Sequence, residues 1–162
     1  MLSQAECLST TCGGLSEVGR NGALTRLTGF DTLTTIGGSC TVENNNKLTT
    51  IAGFNVLQII GLNLLVSGND ALVSLSGFGR LERANGALEI VDNEQLSSID
   101  GFAALDMKAS ALDFRGNNLQ CPTNATRGLA RPVRASSPGL LRLTLVHYLH
   151  CTPPLSRLHE NK

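Results

Sequence analysis

The sequence predicts an all-β protein, a right-handed parallel β-helix (a solenoid) of about five coils. Three features of the chain predict this fold. The dipeptide Gly-Phe recurs every 24 residues, at positions 29–30, 53–54, 77–78 and 101–102. Several columns of apolar residues keep the same step, and so does a column of asparagines. A fixed period of this kind is typical of solenoids, in which each repeat is one turn of the chain.

Each repeat begins with a short alternating element, Leu-x-Val, that predicts a β-strand with one buried face. Its two inward columns are Ser16, Cys40, Leu64, Leu88 and Leu112, followed two residues later by Val18, Val42, Val66, Ile90 and Phe114. We expect each strand to pair in parallel with its counterparts above and below. At about 4.8 Å per coil, five coils give a stack roughly 24 Å tall.

Apolar residues then follow at every third position, which is too sparse and too often interrupted by glycine for a standing helix. We expect these leucines and isoleucines to fill the interior in columns such as Leu24, Leu48, Leu72 and Leu96. The phenylalanines form a further column, Phe30, Phe54, Phe78 and Phe102. They are predicted to stack in a corner that the preceding glycines open by adopting unusual backbone angles.

Asparagine recurs where each predicted strand ends, at Asn21, Asn45, Asn69, Asn93 and Asn117. An asparagine side chain in this position is able to bond backbone groups of its own turn and of the next coil. We therefore interpret the column as a structural ladder rather than as ligand or metal contacts.

The complete unit, L-x-V-x-x-N-x-x-L-x-x-I-x-G-F, closely resembles the receptor L-domain. That domain is the right-handed β-helix of insulin-type and epidermal-growth-factor-type receptor ectodomains and of many microbial surface proteins. The resemblance covers residues 12–121, and 117–122 (NNLQCP) looks like the cysteine-bearing cap that closes such solenoids. It implies an extracellular or cell-surface module without enzymatic activity, which binds a protein or glycan ligand or mediates adhesion.

In such a module, binding falls on the outward positions of the strands. The candidate ligand residues are Asn63, Leu65, Ser67, Glu89, Val91, Asp113 and Arg115. Leu65 and Val91, beside Glu89, are predicted to form a small apolar contact patch. Scattered exposed apolar residues are normal on protein surfaces, so the alternative is a structural repeat module, or a fragment of a larger solenoid, without its own ligand.

Composition and histidine content argue against other classes of function. Only 16% of the residues are charged and the net charge is zero, which excludes nucleic-acid binding by the chain as a whole. No apolar run approaches the roughly 18 residues of a membrane span, and no signal peptide is visible at the N-terminus. Residues 1–122 contain no histidine, and the acidic residues of the last two coils fall on different sides. We therefore expect no catalysis, no metal site and no cofactor.

The chain changes character near residue 122. Residues 1–122 carry a net charge of −5 and residues 123–162 a net charge of +5. We divide the chain into an N-terminal cap (1–11), the solenoid (12–121) and a basic tail (122–162). The tail is expected to be poorly ordered or to form a short helix over 138–150, unless it is not native protein sequence.

The cysteines and one sequon bear on the compartment. Cys7 and Cys12 are predicted to form a disulfide that clips the N-terminal end if the protein is secreted, whereas all five cysteines stay reduced in a cytosolic protein. Cys40 takes the position of a core leucine and is predicted to be a buried free thiol. Asn124 begins a glycosylation sequon just beyond the predicted cap, which favours an extracellular setting.

Overall fold

A computed structural model describes residues 10–14, 16–102, 104–105 and 110–119. Over these residues the protein is all-β, with twelve short strands, a 3-10 turn at Asp100–Phe102 and no α-helix. Several predictions lie outside the described residues, namely those on Cys7, Cys121, Asn124, most of the N-terminal cap and the whole basic tail.

The strands form three parallel sheets, and each turn of the chain passes through all three. The five-stranded sheet consists of β2 (Ser16–Gly19), β5 (Cys40–Glu43), β8 (Leu64–Ser67), β11 (Leu88–Val91) and β12 (Leu112–Asp113). The four-stranded sheet consists of β1 (Thr11–Cys12), β4 (Thr35–Ile36), β7 (Ile59–Ile60) and β10 (Arg83–Ala84). The three-stranded sheet consists of β3 (Arg26–Leu27), β6 (Thr50–Ile51) and β9 (Ser74–Leu75).

The predicted parallel β-solenoid is confirmed, and the pairing register equals the sequence period. In the five-stranded sheet, for example, Leu65 lies between Thr41 and Glu89, each 24 residues away. The stack amounts to about four turns rather than the predicted five. The difference arises at the C-terminal end, where β12 contributes only two residues to the sheet.

The inward columns form one continuous apolar core. Burial alternates along each of β5, β8 and β11, so that the first and third residues of each strand are buried and the second and fourth are partly exposed. Ile36, Ile60, Ile51 and Leu75 are buried in the same way on the other two sheets. No coil buries its own apolar side alone, because the core is shared between neighbouring coils.

The spacing of three between apolar residues is explained by β-turns at two of the corners. The Leu48 amide donates to the Asn45 carbonyl at 2.8 Å, and the Leu57 amide donates to the Phe54 carbonyl at 3.1 Å. The equivalent bonds recur in the neighbouring coils. Each turn ends with its leucine in the core, so N-x-x-L and F-x-x-L are corner motifs of the solenoid.

The phenylalanines stack in the corner as predicted, but the reason given for their glycines is wrong at three positions. Ring centroids of successive residues lie 4.8, 5.2 and 5.3 Å apart, from Phe30 to Phe102. Of the glycines before them, Gly29 alone has a positive φ, of 98°. At Gly77 a Cβ atom would lie 2.8 Å from the Ile51 carbonyl oxygen of the neighbouring coil. Close approach of two backbones, not unusual backbone angles, requires glycine there.

The asparagine column forms a ladder of hydrogen bonds through the interior. The Asn69 side-chain amide donates to the Val42 and Ser67 carbonyls at 3.0 Å each and to Asn93 Oδ1 at 3.1 Å. Asn69 Oδ1 in turn accepts from the backbone amide of Asn45 at 3.1 Å. Each side chain therefore bonds both of its neighbouring coils, and the central three of the column are fully buried. No side-chain nitrogen or oxygen that is buried among the described residues lacks a partner.

A left-handed residue precedes every asparagine of the ladder, a column that the sequence analysis does not identify. Backbone φ lies between 54° and 68° at Arg20, Asn44, Gly68, Asp92 and Gly116. Asparagine, aspartate and glycine are the residues that tolerate this conformation best. Their recurrence every 24 residues is the sequence signal of the turn that ends each strand of the five-stranded sheet.

Replacing Asn69 by alanine is expected to destabilise the protein by about 1–3 kcal/mol, because it leaves buried backbone groups of two coils without partners. Asn46 is the matched control, since it is exposed and lies beside Asn45 of the ladder. Its replacement by alanine should change stability by less than about 0.5 kcal/mol. Urea unfolding measures both values, and equal stability of the two variants would contradict a structural role for the ladder.

Gly77→Ala is expected to destabilise the solenoid by about 1–3 kcal/mol, because the new methyl group overlaps the backbone of the coil above. Gly79, two residues later, has no atom within 4 Å of a Cβ position and serves as the control. Thermal unfolding of the two alanine variants compares them directly. A Gly79→Ala variant as unstable as Gly77→Ala would show that backbone entropy, not close approach, sets the requirement.

Candidate functional site

The outward surface of the five-stranded sheet, here called the strand face, carries most of the candidate ligand residues. Pairing arranges its side chains in two rows across the sheet. The first row is Glu17, Thr41, Leu65, Glu89 and Asp113. The second is Gly19, Glu43, Ser67 and Val91. Four-residue strands make this the widest face of the solenoid.

The structure brings Leu65, Glu89 and Val91 together at the centre of the strand face. Leu65 and Glu89 are direct neighbours in the first row, and Val91 pairs with Ser67 in the second. Strand spacing and rise place Leu65 and Val91 about 8 Å apart across the diagonal. Their side chains are partly exposed, as are those of Ser67 and Glu89.

Sequence analysis misses the most exposed large apolar residue of the described chain. Leu62 is 55% exposed and lies at the corner just before β8, three residues from Leu65. Its backbone is hydrogen bonded to Gly38 on one side and to Gly86 on the other, so small residues flank it. The signal in the sequence is this column, in which Leu62 replaces the glycine of the neighbouring coils.

Asn63 is exposed, but its side chain also serves the stack. Asn63 Oδ1 accepts from the backbone amide of Ala87 at 2.9 Å, and its own amide donates to Ser39 Oγ at 3.3 Å. These bonds join three successive coils at the corner before the strand face. Asn63 is therefore a structural residue at the edge of the face, and the centre of the candidate site lies at Leu65.

Carboxylates border the apolar residues of the strand face. Glu89 lies beside Leu65 in the first row, and Glu43 lies diagonally across from it in the second. Arg115 follows β12 and forms an ion pair of 2.7 Å with Asp113. Its Nε also donates to both carboxylate oxygens of Asp113, which raises the pKa of the Arg115 guanidinium. The arginine thus has a partner on the face already.

The other two faces have a different chemistry. The outward strand residues of the four-stranded sheet are Thr11, Thr35, Ile59 and Arg83. Those of the three-stranded sheet are Arg26, Thr50 and Ser74. None of these strand positions carries a carboxylate. Acidic side chains on described strands are therefore confined to the strand face.

Two cysteines lie beneath or beside the strand face. Cys40 is buried and free on the inward side of β5, as predicted, and burial raises the pKa of its thiol from 9.0 to about 12. Cys12 is disulfide-bonded and its Sγ lies 3.2 Å from Ser16 Oγ. Cys7, the predicted partner of Cys12, lies outside the described residues.

The described part of the chain contains no group of histidine, cysteine, aspartate and glutamate side chains arranged to hold a metal ion. It also contains no helix that is both long and apolar enough to cross a membrane. The arrangement on the strand face is thus one of contact chemistry, with apolar side chains and carboxylates on a rigid sheet.

Alkaline pH is expected to weaken the native protein more than a Cys40→Ala variant. A thiol that is protonated to about pH 12 when folded, but only to pH 9.0 when unfolded, contributes its full stability below pH 9. Above that pH the contribution decreases by about 1.4 kcal/mol per unit. Urea unfolding at about pH 8 and about pH 10 measures the difference. An equal alkaline loss in both proteins would contradict the assignment to Cys40.

Comparison with known proteins leaves the family assignment open. No family model matches the chain, and no curated protein or solved structure matches it. The resemblance to the receptor L-domain therefore depends on the residue pattern of the repeat, and any function drawn from it is a proposal.

Proposed function

We propose that this protein is a non-enzymatic binding module of a cell surface, which takes a protein or glycan ligand on the strand face. The observation that carries the proposal is the exposed apolar centre formed by Leu62, Leu65 and Val91. Apolar side chains on the outside of a rigid sheet, with polar groups around them, are typical of contact surfaces.

The geometry of the sheet suits binding. The strand backbones are paired with both neighbours through β5, β8 and β11, so the outward side chains have fixed spacings before any ligand arrives. A preformed surface loses little conformational entropy on association. The exposed centre lies on the middle strands of the sheet, where this support is complete on both sides.

A cell-surface location is supported by two features. The repeat resembles the receptor L-domain, whose known members are extracellular. Cys12 is disulfide-bonded, and disulfides persist mainly in oxidising compartments such as the outside of the cell. A purely structural solenoid is the competing proposal, under which the strand face has no ligand and tolerates any soluble substitution.

Labelled full-length protein should bind intact cells of the source organism, and Leu65→Asp should reduce that binding about tenfold, an effect typical of losing one anchor. Glu89→Ala should also weaken it. Val73 is the matched control, since it is 46% exposed but lies beside β9 of the three-stranded sheet. Val73→Asp should bind as the native protein does, and none of the three changes should lower the melting temperature by more than a few degrees.

Flow cytometry measures the binding. Treating the cells with trypsin or with a mixture of glycosidases distinguishes a protein ligand from a glycan. Native-level binding by the Leu65→Asp and Glu89→Ala variants would contradict the strand face as the binding site. No cell binding by any of the proteins would favour the structural solenoid.

A further inference from the structure

Charge is segregated between the faces of the solenoid. The strand face carries the four carboxylates of Glu17, Glu43, Glu89 and Asp113 against the single guanidinium of Arg115, a net charge of −3 at neutral pH. The outward strand residues of the other two sheets carry only Arg26 and Arg83. An incoming ligand therefore meets a negative field on this face alone.

The apolar residues lie inside this negative rim rather than apart from it. Leu65 has Glu89 on one side in its row and Glu43 across the diagonal on the other. Leu62 protrudes at the adjoining corner between two glycines, and Val91 lies one strand further along the second row. This apolar centre of three side chains, bordered by carboxylates, has the layout of an interface with an apolar core and a charged rim.

From this layout we infer that the partner is a basic protein segment, which inserts an apolar side chain between Leu62, Leu65 and Val91 and sets lysines or arginines against Glu43 and Glu89. The inference deepens the proposed function and rests on it. Apolar contact supplies the attraction at the centre, and the rim charges steer the encounter and select the sign of the partner. Asp113 contributes less than the glutamates, because Arg115 already neutralises it at 2.7 Å.

Anionic ligands fit this surface poorly. A sulfated glycan, a phosphorylated segment or an acidic membrane surface would bring like charge against Glu17, Glu43 and Glu89, and like charges across an interface oppose binding. The exposed arginine of the face is held by Asp113 through Nε and a terminal nitrogen, so it is not an open anion site. Charge complementarity thus favours a cationic partner.

Three short synthetic peptides test the inference with the full-length protein. The first is Lys-Lys-Ser-Leu-Ser-Lys-Lys, the second replaces its lysines by glutamates, and the third replaces its leucine by serine. We expect the first to shift backbone amide signals of β5, β8 and β11 in a nitrogen-15 NMR titration. The acidic peptide should cause no shifts, and the leucine-free peptide should bind at least about threefold more weakly, a loss of roughly 0.7 kcal/mol.

Matched variants separate the two parts of the interaction. Glu43→Gln with Glu89→Gln should weaken binding of the first peptide several-fold and flatten its dependence on salt, since screening acts on the rim charges. Glu82→Gln, an exposed carboxylate next to β10, is the charge control and should change neither. Leu65→Ser should weaken binding with the salt dependence retained, and Val73→Ser should be silent.

The inference would be overturned by signal shifts confined to another face, by equal binding of the acidic and basic peptides, or by full binding of the leucine-free peptide. Failure with all three peptides would also overturn it. The proposed function fails separately, because it is tested by the effect of Leu65→Asp on cell binding. If that effect is present and no peptide binds, the strand face has a ligand of different chemistry.

Discussion

The asparagine ladder is the interaction on which the rest of the solenoid depends. Each strand of the five-stranded sheet must stop and turn, and the turn leaves backbone amides and carbonyls inside the stack. Asn45 satisfies these groups only in combination with the coils on either side, through Val18 of one and Asn69 of the next. A buried polar group without a partner costs as much as a packing defect, so the coils are held at one register. Every other column, apolar or exposed, inherits that register.

This constraint explains which features the sequence predicts. Residues such as Val66 and Asn69 have one permitted chemistry at each step of 24, so their columns are visible in the chain and give both the strands and the ladder. The four- and three-stranded sheets are not visible, because a two-residue strand such as Ser74–Leu75 has one inward side chain and no alternation to detect. The requirement at Gly77 depends on how closely two backbones approach, which no single repeat encodes.

The candidate site is predicted less completely than the fold for a related reason. Alternation along the strand identifies Leu65 and Val91 as outward residues, because the facing of a strand residue follows from its inward neighbours. Leu62 lies at a corner, where facing has no fixed period, and its exposure results from the small residues at Gly38 and Gly86. Asn63 is the opposite case: it is exposed as alternation predicts, yet its side chain bonds the stack.

Outward columns are where such a solenoid is free to vary. The first row of the strand face changes from glutamate to threonine, leucine, glutamate and aspartate, while the inward columns on either side of it remain almost uniformly apolar. A side chain at an outward position touches neighbours of the same row and does not disturb the ladder, so its identity costs the fold little. Against that freedom, acidic residues on the described strands occur on one face and surround its apolar centre. A stacking requirement does not demand this arrangement, because the other two faces stack in the same register without carboxylates. Complementarity to a cationic, partly apolar partner does account for it.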